Sequence, residues 1–273
     1  MNTWQSLSAL QLAANWTLFG GLVSMGLLEL IVPRPNLPRA GLRVRHAAHN
    51  LLLWLFGIAV ISLLFGLSSW YLMIWMAWQR VGLLYWLSLP LWLHAVLAFL
   101  LLDFFDYVFH RLSHRVRWLW LMHAVHHSDA SVDITTNLRQ HPLHIVLTQA
   151  WQIVAATAIG APLWVFLGRE VVVIVVTHVQ HAAVRWPLWV DSLLAWIMIT
   201  PRAHWLHHSP EERGTNANFG PVLAVWDRLF ATYVDPRTMD SGSFGLAALR
   251  APGWHTAWGM LATPIWARSI ERL

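Results

Sequence analysis

Long apolar runs dominate this chain and restrict the folds that it can adopt. They extend over about residues 15–32, 50–78, 84–109 and 143–167, and about 20 apolar residues are enough for a helix to cross a bilayer. The composition agrees, since 57% of the 273 residues are hydrophobic and only 11% are charged, against about 25% in an ordinary globular domain. We therefore predict an all-α membrane protein, a multi-span helical bundle with about four transmembrane helices.

Two of these runs leave their exact course open. The run at 50–78 could be one long tilted span, or a span followed by an interfacial segment. The run at 143–167 is followed, after Gly168, Arg169 and Glu170, by the apolar residues 171–176. We therefore expect a hairpin that enters the bilayer and returns, with a break at the three residues between its arms.

Basic residues predict the orientation of the spans. The segment between the first two runs holds Arg34, Arg39, Arg43 and Arg45, and loops rich in arginine stay on the cytoplasmic side. The N-terminus is then outside, and the third run ends at the cytoplasmic face. The polar segments that follow this run are expected to form a cytosolic helical cap.

Eight histidines fall into three clusters after the third run. The clusters read HRLSH, HAVHH and HWLHH, and they comprise His110 and His114; His123, His126 and His127; and His204, His207 and His208. Positions i, i+3 and i+4 lie on one face of a helix, so each cluster can direct its imidazoles to one point. A structural zinc site needs only about four ligands. Eight clustered histidines therefore indicate a polyhistidine site for two metal ions.

The residue types present limit the chemistry of such a site. The chain has no Cys, which excludes Cys-ligated iron–sulfur clusters and thiolate-ligated haem. No cluster contains the HExxH pattern of hydrolytic zinc enzymes, so redox chemistry on a lipid is favoured. A haem protein with two histidine ligands would need single histidines on facing helices, which leaves most of the clustered histidines unexplained. A metal transporter would need ionisable residues spread through its spans, whereas here they gather at one end. The chain has no run of basic residues of the kind that would indicate nucleic acid as a partner.

Two carboxylates precede the first cluster inside the third apolar run. Asp103 and Asp106 lie seven and four residues before His110, and carboxylates this deep in an apolar segment need a partner. A metal-bound histidine usually donates its second ring N–H to a carboxylate or carbonyl, so we expect Asp106 to accept from His110. The competing interpretation is an ion pair with Arg111 or Arg115.

The histidines belong to four longer segments, which span about residues 101–233. These read DFFDYVFHRLSHRVRWLWLMHAVHHSD, DITTNLRQHP, QHAAVRWPLWVDSLLAWIMITPRAHWLHHS and NFGPVLAVWDRLFATY. In order and spacing they resemble the fatty acid hydroxylase superfamily, also called the sterol desaturase family, of integral membrane di-iron oxygenases. The resemblance implies about four transmembrane helices with a cytosolic helical cap that holds two irons. It divides the chain into N-terminal transmembrane helices (1–100), a catalytic domain (101–235) and a C-terminal tail (236–273).

The resemblance also implies roles for individual residues. The eight clustered histidines would be metal ligands, and a ninth would come from His181, with His178 one turn earlier as the competing candidate or a neighbour that supports the ligands. Asp106, Asn218 and Asp227 are expected to support the ligands from outside. No catalytic residue is expected beyond the ligands themselves.

The chain departs from the family pattern at two positions. Many relatives have an acidic residue after the RxHP element, where this chain has His144, and Asn is usual after QHA, where it has Ala183. Neither change removes an expected ligand. Because of these two departures, the resemblance does not predict the shape of the substrate pocket or the redox properties of the metal site.

The activity implied is that of an O2-dependent oxidoreductase, which hydroxylates or desaturates a C–H bond of a lipid drawn from the bilayer. The motifs decide neither between these reactions nor which lipid is used. The chain contains no flavin, haem or iron–sulfur motif, so we expect a separate electron donor, either a ferredoxin or a reductase. The absence of a basic cytosolic tail or retention signal favours a bacterial inner membrane, with the metal site on the cytoplasmic side.

Overall fold

The protein is all-α over the part of the chain that its structure describes. The computed structural model describes residues 3–34, 37, 40–65, 75, 79–239 and 242–267. Within these ranges the regular structure is α-helix and short 3-10 helix, and two isolated β-bridges, Pro33 with Val184 and Met198 with Leu223, take the place of strands. This confirms the predicted fold class.

Within the described ranges, five long helices form the apolar part of the protein. By length and composition each could cross a membrane. They are α1 (Thr3–Ile31), α2 (Ala40–Leu64), α3 (Leu91–Arg115), α5 (Pro142–Ile159) and α6 (Leu163–His181). The number agrees roughly with the four predicted spans, because the predicted hairpin consists of two helices, α5 and α6. Residues 66–74 and 76–78 of the second apolar run lie outside the described residues.

Among the residues that the structure describes, six shorter α-helices build the cap and the C-terminal region. They are α4 (Arg117–His127), α7 (Leu188–Leu194), α8 (Pro201–His207), α9 (Glu212–Thr215), α10 (Val225–Leu229) and α11 (Ala257–Trp266). Two of them begin with a side-chain cap, since Thr200 accepts the Ala203 N–H at the start of α8 and Thr256 accepts the Gly259 N–H at the start of α11. These caps satisfy backbone donors that a helix start leaves free.

The turn of the hairpin lies earlier in the chain than predicted. Gly160 ends α5 in the left-handed conformation at φ 78°, which glycine adopts without steric cost, and Pro162 caps the start of α6. His94 Nε2 lies 2.8 Å from the Gly160 carbonyl and joins the turn to α3. The predicted break at Gly168–Glu170 is wrong, because α6 continues through these residues.

An ion cluster explains why α6 needs no break there. Arg169 is 1% exposed, and its guanidinium donates to Asp106 at 2.5 Å and to Glu170 at 2.8 Å. Gln152 donates to the same Asp106 carboxylate at 3.1 Å. The guanidinium offsets part of the negative charge of the two carboxylates inside the helical bundle, so the helix can carry these residues through an apolar environment.

The main apolar core lies beside the hairpin turn. It joins the first half of α3 to the end of α5 and the start of α6, through residues that include Leu102, Ala156 and Phe166. The histidine clusters lie toward the other ends of α3 and α6. The core therefore fixes these two helices relative to each other and leaves their histidine-bearing ends free for the site.

The C-terminal region covers the outer face of α4. Leu246 and Leu249 pack with Trp120 and Ala124, and Met260 of α11 packs with Val125 of α4 and a residue of α2. The helix that carries HAVHH is therefore enclosed on both sides. It lies between the histidine site and this C-terminal layer.

Candidate metal centre

Nine histidines converge in two neighbouring groups. In each group, one ring nitrogen of every member lies within 4.8 Å of the others. The first group is His110, His114, His123, His127 and His207; the second is His126, His181, His204 and His208. These are the eight clustered histidines together with His181, and all but the half-buried His110 are buried.

The two HxxHH sequences each contribute to both groups. On α4, His123 and His127 belong to the first group and His126 belongs to the second. In HWLHH, His207 belongs to the first group, and His204 and His208 belong to the second. The prediction that each cluster points to one location therefore holds only for HRLSH. Residues four apart are nearly aligned along a helix, whereas the residue between them is rotated away. One turn of helix can thus supply two adjacent sites.

Backbone carbonyls hold three of the rings in one tautomer. Nδ1 of His110 lies 2.8 Å from the Phe219 oxygen, and Nδ1 of His207 lies 2.7 Å from the Ala217 oxygen. Nδ1 of His181 is 2.8 Å from the carbonyl of Thr177, one turn earlier on α6. A carbonyl oxygen only accepts, so the proton of each neutral ring is on Nδ1 and the lone pair is on Nε2.

Two of these lone pairs face each other. Nε2 of His207 lies 3.0 Å from Nε2 of His110, and neither nitrogen carries a proton when both rings donate from Nδ1. A hydrogen bond there would need a doubly protonated ring. Burial opposes that, since it lowers the pKa of His207 well below its ordinary value. A cation bound by both nitrogens would remove the repulsion between the two lone pairs, so the two rings could share a metal ion.

The nitrogen spacing matches a metal coordination sphere. The contacts between Nε2 atoms are 3.1 Å for His110 and His123, 3.0 Å for His181 and His204, and 3.2 Å for His204 and His208. Nitrogens at about 2.1 Å from a metal lie about 3.0 Å apart in an octahedron and about 3.4 Å apart in a tetrahedron. The rings are therefore already at the separation that metal ligands need.

Several ring nitrogens in the groups have no hydrogen-bond partner among the described residues. Both nitrogens of His114 and of His127 are buried without one. An unsatisfied buried polar atom costs about 1–3 kcal/mol, so two rings with no partner at all are unusual in a folded protein. Coordination of a metal ion would satisfy one nitrogen on each ring.

The imidazoles of α4 and of HWLHH are held in the neutral form. Burial, reinforced by neighbouring histidines, lowers the pKa of each of them well below its ordinary value. They are His123, His126, His127, His204, His207 and His208. Neutral imidazole is the form that binds iron, zinc and copper, so these rings are in the form that could hold a metal ion.

The loop after α9 supports the rings through its backbone. Asn218 sits between the two carbonyls that orient His207 and His110, in the left-handed conformation at φ 56°. Its amide donates to Ala203 at 3.0 Å and accepts the Val234 N–H at 3.0 Å. Left-handed backbone is tolerated better by Asn than by most residues, so this side chain both permits the turn and anchors it.

Asp227 anchors the same loop from α10. Its carboxylate accepts the N–H groups of Phe219 and Gly220 at 2.9 and 2.7 Å, and the hydroxyl of Thr232 at 2.7 Å. The residue is fully buried. Asp227 therefore fixes the peptide whose carbonyl orients His110, without touching a clustered histidine itself.

Two expected supporting contacts are replaced by others. The predicted bond from His110 to Asp106 is wrong, because His110 turns Nδ1 to Phe219 and Asp106 pairs with Arg169 and Gln152. The alternative prediction, an ion pair between the carboxylate and Arg111 or Arg115, names the wrong arginine, because Asp106 pairs with Arg169. Arg169 lies on α6, 63 positions from Asp106, and no sequence pattern links the two.

His178 faces away from the site. Its Nε2 lies 3.1 Å from the Leu18 carbonyl of α1, and its Nδ1 is 3.2 Å from the Asn137 amide. Its ring contacts α1 at Gly21, where an added Cβ would lie 2.9 Å from it. Of the two candidates on α6, it is His181 that lies among the clustered rings, and His178 supports helix packing instead.

Some residues at the site were not foreseen. Phe219 packs its ring against three of the histidines, with centroids 5.0–5.6 Å away, in addition to orienting one of them. His144, noted only as a departure from the family, stacks on His123 at 4.7 Å and bonds to Ser113. The buried Arg139 donates to the Val125 carbonyl at 2.9 Å and clamps the end of α4. Arg139 lies in the RxHP element and Phe219 in the NFG segment, so both lay in motifs that could have drawn attention to them.

Comparison with known proteins gives a family match over the site. The family model described as fatty acid hydroxylase matches residues 95–232, a range that contains all nine histidines. No solved structure gives a match to the chain.

Individual relatives share about a third of their aligned residues with the chain. It is 31% identical over 165 residues to ornithine lipid hydroxylase of Rhizobium tropici, covering 60% of this chain and 49% of that protein. It is 31% identical over 143 residues to alkylglycerol monooxygenase of Homo sapiens, covering 50% of this chain and 29% of that protein. A cholesterol 25-hydroxylase-like protein of Danio rerio is 27% identical over 143 residues, or 49% of its length. The matched part of the chain thus spans half or less of each relative.

Proposed function

This chain belongs to the fatty acid hydroxylase family, and from that membership we propose that it is an O2-dependent oxidoreductase that uses two iron ions to modify a membrane lipid. His110, His114, His123, His127 and His207 would hold one iron. His126, His181, His204 and His208 would hold the other. The two groups share α4 and HWLHH, so the two ions would be close neighbours.

The facing lone pairs of His110 and His207 carry this proposal. Each ring donates its Nδ1 proton to a carbonyl, and the two Nε2 atoms are 3.0 Å apart. Two acceptors at this distance repel unless a cation lies between them. Interfacial histidines with no metal role would not be arranged in this way.

Iron ions held there would supply the redox chemistry that activates O2 for attack on an unactivated C–H bond. The chain's own contribution is to position and enclose them. The carbonyls of Thr177, Ala217 and Phe219 fix the orientation of three rings, and the burial of eight of the nine rings excludes water. We assign no nucleophile or acid–base residue beyond the ligands.

The substrate class is supported by the relatives and by the position of the site. Two relatives are named for lipid substrates, an ornithine lipid and an alkylglycerol. The described residues include five helices long and apolar enough to cross a membrane. The histidine groups at the ends of two of these helices would then lie next to a bilayer, from which a lipid could enter sideways. We propose hydroxylation as the reaction, since these relatives are named as a hydroxylase and a monooxygenase, with desaturation as the alternative.

We place the site on the cytoplasmic side of a bacterial inner membrane. Arg34, which follows α1, donates to the Val132 carbonyl at 3.2 Å, so this arginine lies at the same end of the molecule as the histidines. The positive-inside rule then favours the cytoplasm for both. A separate ferredoxin or reductase would supply electrons, and the arginines of this face would suit an acidic donor.

Metal analysis of the detergent-purified protein tests the proposal. We expect about two irons per chain, no haem Soret band, and a hydroxylated lipid that contains ¹⁸O when the iron-loaded protein receives ¹⁸O2, a reductant and bacterial lipids. His207→Ala should lose both metal and product. His178→Ala is the matched control and should keep both, because His178 lies outside the groups.

The alternatives give different results. A haem band with about one haem per chain would identify an electron-transfer protein, and bound iron with no lipid product under any reductant would indicate a metal-binding protein without this activity. Lipid product without ¹⁸O but with a new double bond would identify a desaturase. Full metal content in His207→Ala would overturn the assignment of the site.

A further inference from the structure

A cavity whose wall includes several charged and hydrogen-bonding side chains lies outside the histidine groups. It has a volume of about 310 Å³ and is bounded by the start of α2, the loop after α4 and the 3-10 helix Pro252–His255. This volume is at the lower end of the range for small-molecule pockets, about 300–1,000 Å³. The candidate span on α2 begins at Gly41. The cavity is therefore at the edge of the bilayer, where lipid headgroups lie.

The acidic groups next to the cavity are already satisfied. Asp129, the carboxylate in its wall, accepts from His46 at 2.9 Å, from the Ser131 N–H at 3.0 Å and from the Thr136 hydroxyl at 2.6 Å. Glu29, further in, pairs with Arg43 at 2.5 Å. Neither carboxylate is left to neutralise another cation.

Two arginines in the cavity wall have no acidic partner. Arg45 and Arg250 both line the cavity, and within the described residues neither has a carboxylate oxygen within 4.0 Å, the limit met by Arg43 and its partners. Both side chains are exposed. They are thus free to close on a ligand, and a planar guanidinium can donate two parallel hydrogen bonds to one phosphate.

Uncharged donors complete the wall. The Ser131 hydroxyl is buried and has no hydrogen-bond partner among the described residues. His49 accepts the Ala257 N–H at Nδ1, at 3.4 Å, so the proton of its neutral ring is on Nε2. The cavity therefore offers positive charge and N–H and O–H donors, while its one carboxylate is occupied.

We propose that this cavity binds a phosphate group at the membrane surface. The charge and the donors fit a phosphate monoester or diester, and basic pockets at the ends of transmembrane helices commonly receive anionic headgroups. The group could belong to an anionic lipid or to a soluble phosphate ester. The proposal does not rest on the proposed function, because none of these residues belongs to the histidine groups.

Thermal unfolding of the full-length protein in a non-ionic detergent tests this. The probes are dihexanoylphosphatidylglycerol, inorganic phosphate, and dihexanoylglycerol, which lacks phosphate, all at constant ionic strength. We expect the phosphatidylglycerol probe to raise the Tm of the wild type in a saturable way. The double variant Arg45→Gln/Arg250→Gln should bind it at least tenfold more weakly. Arg213→Gln, another exposed arginine that lies outside the cavity, should bind it as the wild type does.

Each outcome decides the proposal. Stabilisation by phosphatidylglycerol alone would support a lipid headgroup as the ligand, and equal stabilisation by inorganic phosphate would support a soluble phosphate ester; both results require the loss in the double variant. Unchanged binding in the double variant, no response to either phosphate probe, or an equal response to dihexanoylglycerol would overturn it. The double variant should keep the Tm of the wild type without probe, since its two arginines form no ion pair to lose.

Discussion

At the scale of single residues, the backbone orients the histidines as much as side chains do. Carbonyl oxygens of residues 177, 217 and 219 receive the Nδ1 protons of three rings. Two of these carbonyls flank Asn218, and Asp227 holds the peptide N–H groups that follow. The orientation of His110 therefore depends on residues that never touch it.

Asp227→Asn tests this dependence. The amide cannot accept from both backbone N–H groups and the Thr232 hydroxyl, and one buried donor left unsatisfied costs about 1–3 kcal/mol. The Phe219 carbonyl should then shift and loosen His110, so we expect a lower Tm and a loss of iron toward one ion per chain. Elemental analysis and thermal unfolding measure both.

Asp235→Asn is the control for this variant. Asp235 accepts from Arg237 at the protein surface, where an ion pair contributes little to stability. We expect no change in Tm or in metal content. If Asp227→Asn behaves like Asp235→Asn, the loop does not control the position of His110.

At the scale of elements, charge pairing and helical geometry decide what each helix contributes. Residues of α4 supply both groups. His123 and His127, four positions apart, point in nearly the same direction, whereas His126 between them points to one side. In α6, a continuous helix brings His181 to the site although Arg169 and Glu170 interrupt its apolar sequence. The ion cluster with Asp106 makes that continuity possible.

Arg169→Met should strongly destabilise the protein. It removes the buried cation from between Asp106 and Glu170 and leaves these partly buried carboxylates without their partner. Removing one partner of a fully buried pair costs about 3–5 kcal/mol, which is the upper bound for this change. We expect a lower yield of folded protein in the membrane and a lower Tm in detergent. Adding Asp106→Asn should recover part of the loss by removing one of the two charges.

Arg237→Met is the matched control. Its side chain is 70% exposed and pairs with Asp235 at the surface, so we expect wild-type yield and Tm. A wild-type Tm for Arg169→Met would mean that the ion cluster does not stabilise the hairpin.

At the scale of the whole molecule, the ends of the long helices lie on two opposite sides. The end of α3, the start of α5 and the end of α6 meet at the histidine groups. At the opposite side, Gly160 of the hairpin turn meets Gly82 and Tyr85 of the segment before α3. A membrane would therefore separate the cap from the hairpin turn.

Cysteine labelling can test this arrangement cleanly, because the chain has no cysteine of its own. Glu212→Cys on the cap and Ser88→Cys beside the hairpin turn are both at exposed positions. With an impermeant maleimide on intact spheroplasts, we expect Ser88→Cys to react at once and Glu212→Cys to react only after the membrane is opened. The reverse pattern would put the histidine site outside the cytoplasm.

The sequence alone was enough for the features that local chemistry dictates. Apolar runs of sufficient length identify candidate membrane helices, and the three histidine clusters identify eight of the nine histidines, because both signals are carried by neighbouring residues. The ninth, His181, came from the family resemblance, with His178 as the competing candidate. The nine histidines predicted as ligands are the nine that the structure brings together. Their role as metal ligands stays a prediction.

Only the tertiary structure decided which groups meet across the molecule. Asp106 pairs with an arginine of another helix, His178 turns to α1, and the two HxxHH sequences divide their rings between two sites. None of this is readable from spacing, because each depends on how distant helices pack and on where a buried charge or proton finds its partner. Local pattern determined which residues form the site, and packing determined what each one contacts.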